Sequence, residues 1–155
     1  MLTLNSDVDW AGNADDRKST SDGYFYLGSN LVSWFSKKQN SISLSTTKAE
    51  FIVAGSCCIQ LFWMKQMLED YGIVQDTLTV FCDNTSAINI SKNRVQHFRT
   101  KHIDIRHHFI RELVENKSIV IEHVATDKQL AYIFTKALYS SRFIFLRKAL
   151  EICIL

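Results

Sequence analysis

The amino-acid sequence predicts an α/β protein, a mixed sheet with helices packed on it, and three observations carry that prediction. Short segments of period two or of unbroken apolar character recur along the chain, longer segments repeat their apolar residues every three or four positions, and the two kinds are interleaved. Their order reads β-β-β-α-β-α-β-α, which neither a helical bundle nor a β-sandwich produces. At 155 residues the chain fits a single domain, residues 1–155, large enough to bury a core.

Each element has its own signal. Leu2, Leu4, Val8 and Trp10 alternate with Thr3, Asn5, Asp7 and Asp9, a strand of period two, and a polar loop follows from Gly12 to Arg17. The aromatic and β-branched runs Gly23–Gly28 and Leu31–Phe35, parted by Ser29 and Asn30, read as a hairpin. Ser45 offers an N-cap to a long helix that reaches Tyr71, with Gly72 as its stop, and Val53, Cys57, Leu61, Met64 and Leu68 form its apolar stripe. Leu78–Cys82 is a short apolar strand ending at Asp83 and Asn84, followed by a short helix from Thr85 and a basic loop. Helical spacing resumes from Asp104 to Asn116 through Ile105, Phe109, Ile110 and Leu113; Ser118–His123 is a strand; Asp127–Leu138 and Ser141–Ile152 are helices, with Asp127 as a cap.

Composition narrows the class. An apolar fraction of 46% and a charged fraction of 22% are those of an ordinary globular protein. No apolar run reaches the roughly 20 residues that span a bilayer, and the N-terminus lacks a basic region followed by an apolar core, so neither a membrane partner nor a signal peptide is expected. Cys57, Cys58, Cys82 and Cys153 show no metal-ligand spacing and read as reduced, buried thiols of an intracellular protein. The net charge of +2 is small but unevenly spread. Lys92, Arg94, Arg99, Lys101, Arg106 and Arg111 fall in one stretch with Asp104 as the opposing charge, and His97, His102, His107 and His108 join them. Such a segment is either a solvated helix face or a surface for an anionic partner.

Three carboxylates carry the chemistry. Glu50 lies seven residues before Cys57, on the helix face that must pack against the sheet, where a carboxylate is costly unless paired or bound to metal. Asp83 ends an apolar strand, at the edge where α/β sheets place ligands. Asp7 and Asp9 share one face of the first strand. Acidic groups converging from two strands and a helix repel one another, and a divalent metal relieves that repulsion.

In this order the motifs Ser6-Asp7-Val8-Asp9-Trp10-Ala11-Gly12, Asp16-Arg17-Lys18-Ser19-Thr20-Ser21, Ser33-Trp34 with Lys37-Lys38-Gln39, Leu44–Glu50, Cys82-Asp83-Asn84 with Ser86-Ala87-Ile88, and Arg99–Arg106 resemble the ribonuclease H domain of Copia-type LTR retrotransposons, the C-terminal region of a Pol polyprotein. The resemblance runs from about Ser6 to Ile152. It implies a ribonuclease H-like fold, a five-stranded mixed sheet flanked by helices, and hydrolysis of RNA in an RNA–DNA hybrid with two Mg²⁺ ions. It implies Asp7 as the ligand bridging the metals, with Asp9 the weaker candidate on that strand, and Glu50 and Asp83 as ligands of the second metal. Lys92, Arg94, Arg99, Lys101 and Arg106 would then lie along the hybrid's phosphates. A monomer, or a part of a larger polyprotein, is expected.

One position departs from the family's pattern in a way that touches the chemistry. The fourth carboxylate belongs in the context Gln129-Leu130-Ala131-Tyr132, and here it is Tyr132, a neutral phenol that binds Mg²⁺ poorly. Arg94, Phe98 and Glu151 depart as well, the last where glycine is usual. The expectation is a ribonuclease whose activity is weakened or lost; the alternative is a non-catalytic remnant of an inactive element that still binds hybrid. Of Tyr24, Phe25, Tyr26 and Trp34, which are able to stack on bases, most are expected in the sheet core.

Overall fold

The computed structural model describes residues 1–92 and 105–152, the side chains of residues 105–107 and 135 excepted. Five strands, β1 (Leu2–Asp9), β2 (Thr20–Leu27), β3 (Asn30–Lys38), β4 (Leu78–Cys82) and β5 (Ile119–His123), form one sheet in the order β3-β2-β1-β4-β5. The β1–β2 and β2–β3 pairs are antiparallel, while β1–β4 and β4–β5 are parallel, so the sheet is mixed as expected. Between β3 and β4 runs the long helix α1 (Thr46–Asp70); α2 (Thr85–Lys92) and α3 (Ile105–Glu115) lie between β4 and β5.

Helix α1 starts and stops where its residues dictate. The Ser45 hydroxyl accepts from the Lys48 amide, capping the first turn. At the other end Gly72, at φ 77°, donates to the Glu69 carbonyl and Ile73 to that of Leu68, the paired bonds of a Schellman stop. Val53, Cys57 and Leu61 are fully buried, and Met64 and Leu68 pack at the edge of the same cluster. By length and composition α1 is apolar enough to cross a membrane, with a mean hydropathy of 1.3. In the fold its apolar face instead covers Leu2, Leu4, Val8 and Phe25 of the sheet. Gly23 permits that approach: a Cβ there would stand 2.7 Å from the Cys57 sulfur and 2.5 Å from the Phe35 ring.

The other face of the sheet is covered as well, so alternation along β1 separates two buried faces rather than core from solvent. Tyr24 and Tyr26 pack there with Ala131 and Leu150, and Tyr24 stacks on Phe134 at 4.6 Å. Phe25 lies in the main core, whereas Trp34 on the edge strand is 65% exposed.

The helix expected over Asp127–Leu138 is replaced by two short turns, a 3-10 turn at Thr126–Lys128 and α4 (Tyr132–Thr135). Gln129 is extended between them (φ −69°, ψ 106°), and its fully buried side chain reaches into the sheet, donating to the Ser6 carbonyl of β1. Asp127 therefore lies inside the 3-10 turn, whose N-cap is Ala125. The last helix, α5 (Ser140–Ala149), ends three residues before the expected Ile152. Cys57, Cys58 and Cys82 are free and buried; Cys153 lies outside the described residues.

Candidate metal centre

Asp7, Glu50 and Asp83 stand on three elements, near enough that the charges of Asp7 and Asp83 act on Glu50, while the ligand atoms that come together are those of Glu50, Asp83 and Cys82. Asp7 is near the end of β1, 3% exposed; Glu50 is in the second turn of α1, 5% exposed; Asp83 immediately follows β4. Parallel pairing of β1 with β4 brings the ends of those strands together, and α1 enters over the same end. Asp9 is exposed at the end of β1, so of the two first-strand carboxylates Asp7 is the buried one.

The electrostatics of the cluster favour positive charge. Burial, then the charges of Asp7 and Asp83, push the Glu50 carboxyl up to about 9, against a smaller opposing pull from Lys136 and a hydrogen bond from the Val8 amide. Among the described residues Glu50 Oε2 has no hydrogen-bond partner although it is buried. An orphaned carboxylate oxygen beside two further carboxylates fits a divalent cation, which needs several oxygen ligands. Ligand atoms of Glu50, Asp83 and Cys82 lie within 4.8 Å of one another. The Cys82 thiol, pushed up to about 12 mainly by burial, stays protonated at neutral pH and adds little to an oxygen-liganded centre.

The fourth position does not fit a metal ligand. Tyr132 turns its hydroxyl to Asp83 and donates to Oδ2 at 2.7 Å, so it covers an acceptor a cation would use. Burial and that bond both raise the phenol's pKa, holding it neutral. Four residues on, Lys136 places Nζ 3.5 Å from Asp7 Oδ2 and 5.6 Å from the centre of the Tyr132 ring. A side-chain ammonium thus sits against the carboxylate to which the resemblance assigns the bridging role.

Asp22 and Lys136 were not singled out from the sequence. Asp22 is directly opposite Asp7 in the β1–β2 ladder, 3% exposed, and its carboxyl is raised first by burial and further by Asp7. The signal for it was the period of β2, which places Asp22 on one face with Tyr24 and Tyr26; using it required the hairpin register. For Lys136 the signal was its spacing of four from Tyr132.

Of the expected phosphate-facing residues, Lys92 closes α2 and is exposed, and Arg106 lies in α3 with its side chain outside the description. Arg94, Arg99 and Lys101 fall outside the described residues. Arg111, from the same basic stretch, is buried at 8% exposure.

The sheet order, the helices on both faces and the acidic cluster define a protein with the ribonuclease H fold. The likeness to solved structures shows it: the N-terminal RNase H domain of rv2228c from Mycobacterium tuberculosis superposes with a TM-score of 0.58 at 10% identity over 96% of each chain. LC11-RNase H1, solved in complex with an RNA/DNA hybrid, gives 0.50 at 11% identity over 83% of this chain and 88% of that one. In sequence, the chain is similar to Pol polyproteins of plant retrotransposons. It is 40% identical over 138 residues to the retrovirus-related Pol polyprotein from transposon TNT 1-94 of Nicotiana tabacum, covering 89% of this chain and 10% of that protein. It is 40% identical over 134 residues to the Pol polyprotein from transposon RE2 of Arabidopsis thaliana, covering 86% and 9%. The chain thus spans about a tenth of the length of these curated relatives. No family model matches it.

Proposed function

We propose that this chain is the ribonuclease H domain of a Copia-type retrotransposon Pol polyprotein, a single domain that hydrolyses RNA in RNA–DNA hybrids with Mg²⁺, and that its catalysis is weakened at the fourth ligand position. The fold, the Pol polyprotein relatives and the nearness of Asp7 and Asp83 to Glu50 support the first part. The bond from Tyr132 to Asp83 carries the second.

Asp7, Glu50 and Asp83 would hold the metal. When bound, Mg²⁺ orients the attacking water and stabilises the leaving oxygen. Glu50 must lose its proton to become a ligand, and Asp83 must give up the Tyr132 hydroxyl. Lys136 must leave Asp7 or share it. Each of these exchanges opposes cation binding in the present side-chain arrangement. Lys92, Arg94, Arg99, Lys101 and Arg106 are proposed to contact hybrid phosphates, which makes binding salt-sensitive.

The test is cleavage of an end-labelled RNA strand in a hybrid across a Mg²⁺ titration, with Asp7→Asn alongside. Slow cleavage that Asp7→Asn abolishes supports the reading; cleavage that persists without Mg²⁺ or in Asp7→Asn contradicts it. The pairing of Tyr132 with Asp83 and of Lys136 with Asp7 also favours a second reading, a domain that binds hybrid without cutting it. Salt-sensitive hybrid binding with no cleavage at any Mg²⁺ concentration selects that one.

A further inference from the structure

We propose that Cys82 is a metal ligand, which together with Glu50 and Asp83 forms a site for a thiophilic divalent cation such as Zn²⁺. The inference rests on reading Glu50 and Asp83 as metal-binding carboxylates and adds a sulfur donor that the Mg²⁺ reading does not use.

The three donors come from the end of β4 and from α1. Cys82 is the last residue of β4 and Asp83 follows it, while Glu50 stands in α1. Cys82 shares a strand face with Leu78 and Val80, all three in the core cluster that α1 covers, so its sulfur is on the side of the helix that carries Glu50. One ligand atom from each of Glu50, Cys82 and Asp83 lies within 4.8 Å of the others. An ion with bonds of about 2.0–2.3 Å closes that spread with small side-chain movements. Tyr132 occupies Oδ2 of Asp83, and Oδ1 is a second acceptor on the same carboxylate. Asp7 lies outside this set and has the Lys136 ammonium at 3.5 Å.

Two observations beyond the proximity of the donors point to a cation. Glu50 is 5% exposed, and among the described residues its Oε2 has no hydrogen-bond partner. A buried carboxylate oxygen left without a donor is costly, and a cation seated between Glu50 and its two neighbours satisfies it. The second is the environment of the sulfur. The Asn84 amide donates to Cys82 Sγ at 3.4 Å, and hydrogen bonds to a sulfur tune it as a metal ligand. The thiol hydrogen, directed to the Asn84 carbonyl at 3.8 Å, passes to solvent when a metal binds, because a coordinating thiol is deprotonated.

A thiolate and two carboxylates form a mixed set of soft and hard donors. It suits Zn²⁺, which takes Cys, Asp and Glu in four-coordinate sites, better than Mg²⁺, which demands oxygen donors in an octahedron. With water as the fourth ligand the site is complete without Asp7 and without a carboxylate at position 132. Zn²⁺ held there engages Glu50 and Asp83 and so competes with Mg²⁺ for them.

The experiment reads the metal–sulfur bond rather than turnover. Cd²⁺ and Co²⁺, whose bonds to thiolate give a charge-transfer absorption, stand in for Zn²⁺ and are titrated into the purified, reduced chain. Wild type, Cys82→Ser and Glu50→Gln are compared, with folding checked by circular dichroism and with Zn²⁺ and Mg²⁺ affinities measured by calorimetry. Wild type is expected to show a thiolate band that saturates at one ion per chain. Cys82→Ser should lose the band and weaken Zn²⁺ binding by roughly 10–100-fold while leaving Mg²⁺ affinity unchanged. Glu50→Gln, which keeps every thiol, should weaken the Cd²⁺ titration by a similar factor, and it decides the matter should Cys82→Ser fail to fold. A band that persists in Cys82→Ser, or a titration that Glu50→Gln leaves unchanged, assigns the binding to another thiol and overturns the proposal. Zn²⁺ binding without a thiolate band overturns it as well, and in these cases the Mg²⁺ reading stands. If wild type binds none of the ions, the metal-centre reading falls and takes this proposal with it.

Discussion

The first three acidic positions and the fourth are held by different kinds of structure. Asp7, Glu50 and Asp83 stand on β1, α1 and the end of β4, elements whose positions are set by buried apolar residues such as Leu4, Val53 and Val80. The fourth position stands on a four-residue helix after an extended Gln129, whose buried amide bonds to β1. Substituting any of the first three should leave its element in place, because the core holds it. The fourth segment is held on the opposite face of the sheet, by Ala131 against Tyr24 and Tyr26 and by Phe134 on the Tyr24 ring, and from there the phenol of Tyr132 and the ammonium of Lys136 reach Asp83 and Asp7. A fold can therefore persist while one corner of its acidic cluster changes character.

Several substitutions break or sharpen that contrast. The largest effect is expected on the well-held side: Asp7→Asn should lower any Mg²⁺-dependent cleavage by roughly 100-fold or more with the fold intact by circular dichroism. Loss of secondary structure in this variant would mean the carboxylates are part of the scaffold instead.

The second concerns pH. Because the Glu50 carboxyl is pushed up to about 9 from an ordinary 4.5, the folded chain binds that proton more tightly than the unfolded chain does. The contribution of Glu50 to stability in the absence of metal should thus be fully present below pH ~4.5 and be lost as pH rises toward ~9, by at most about 1.4 kcal/mol per pH unit. Denaturant titrations of wild type and Glu50→Gln check it. The Gln variant, and wild type saturated with Mg²⁺, should show a shallower decline; equal slopes in all three would remove Glu50 as the cause.

The third probes the scaffold. Gly23→Ala places a methyl group against Cys57 and Phe35 and should cost about 1–3 kcal/mol in urea unfolding. The smallest effect belongs to Glu151, left-handed at φ 56° where only glycine is comfortable; Glu151→Gly should stabilise by about 1 kcal/mol or less, read as a small rise in Tm.

The sequence was informative where residues repeat over many positions. The stripe of Val53, Cys57 and Leu61, the Ser45 cap and the Gly72 stop give α1 to within a residue, and motif order placed Asp7, Glu50 and Asp83 on the elements that carry them. It was least informative where one side chain leaves the local pattern. Gln129 sits in a helix-like run, but burying its amide against Ser6 repays breaking the helix, and no local period records that. Asp22 stayed unremarked for a related reason: its neighbour Asp7 is 15 positions away in sequence, and the antiparallel register alone makes them a pair.

The most direct test of the weakened fourth position is the rate of Mg²⁺-dependent cleavage of an RNA–DNA hybrid by wild type beside Tyr132→Asp. Freeing Asp83 from the phenol and restoring a carboxylate at position 132 should raise the rate well above a slow wild type. A wild type that cleaves robustly, at a rate Tyr132→Asp leaves unchanged, would contradict it.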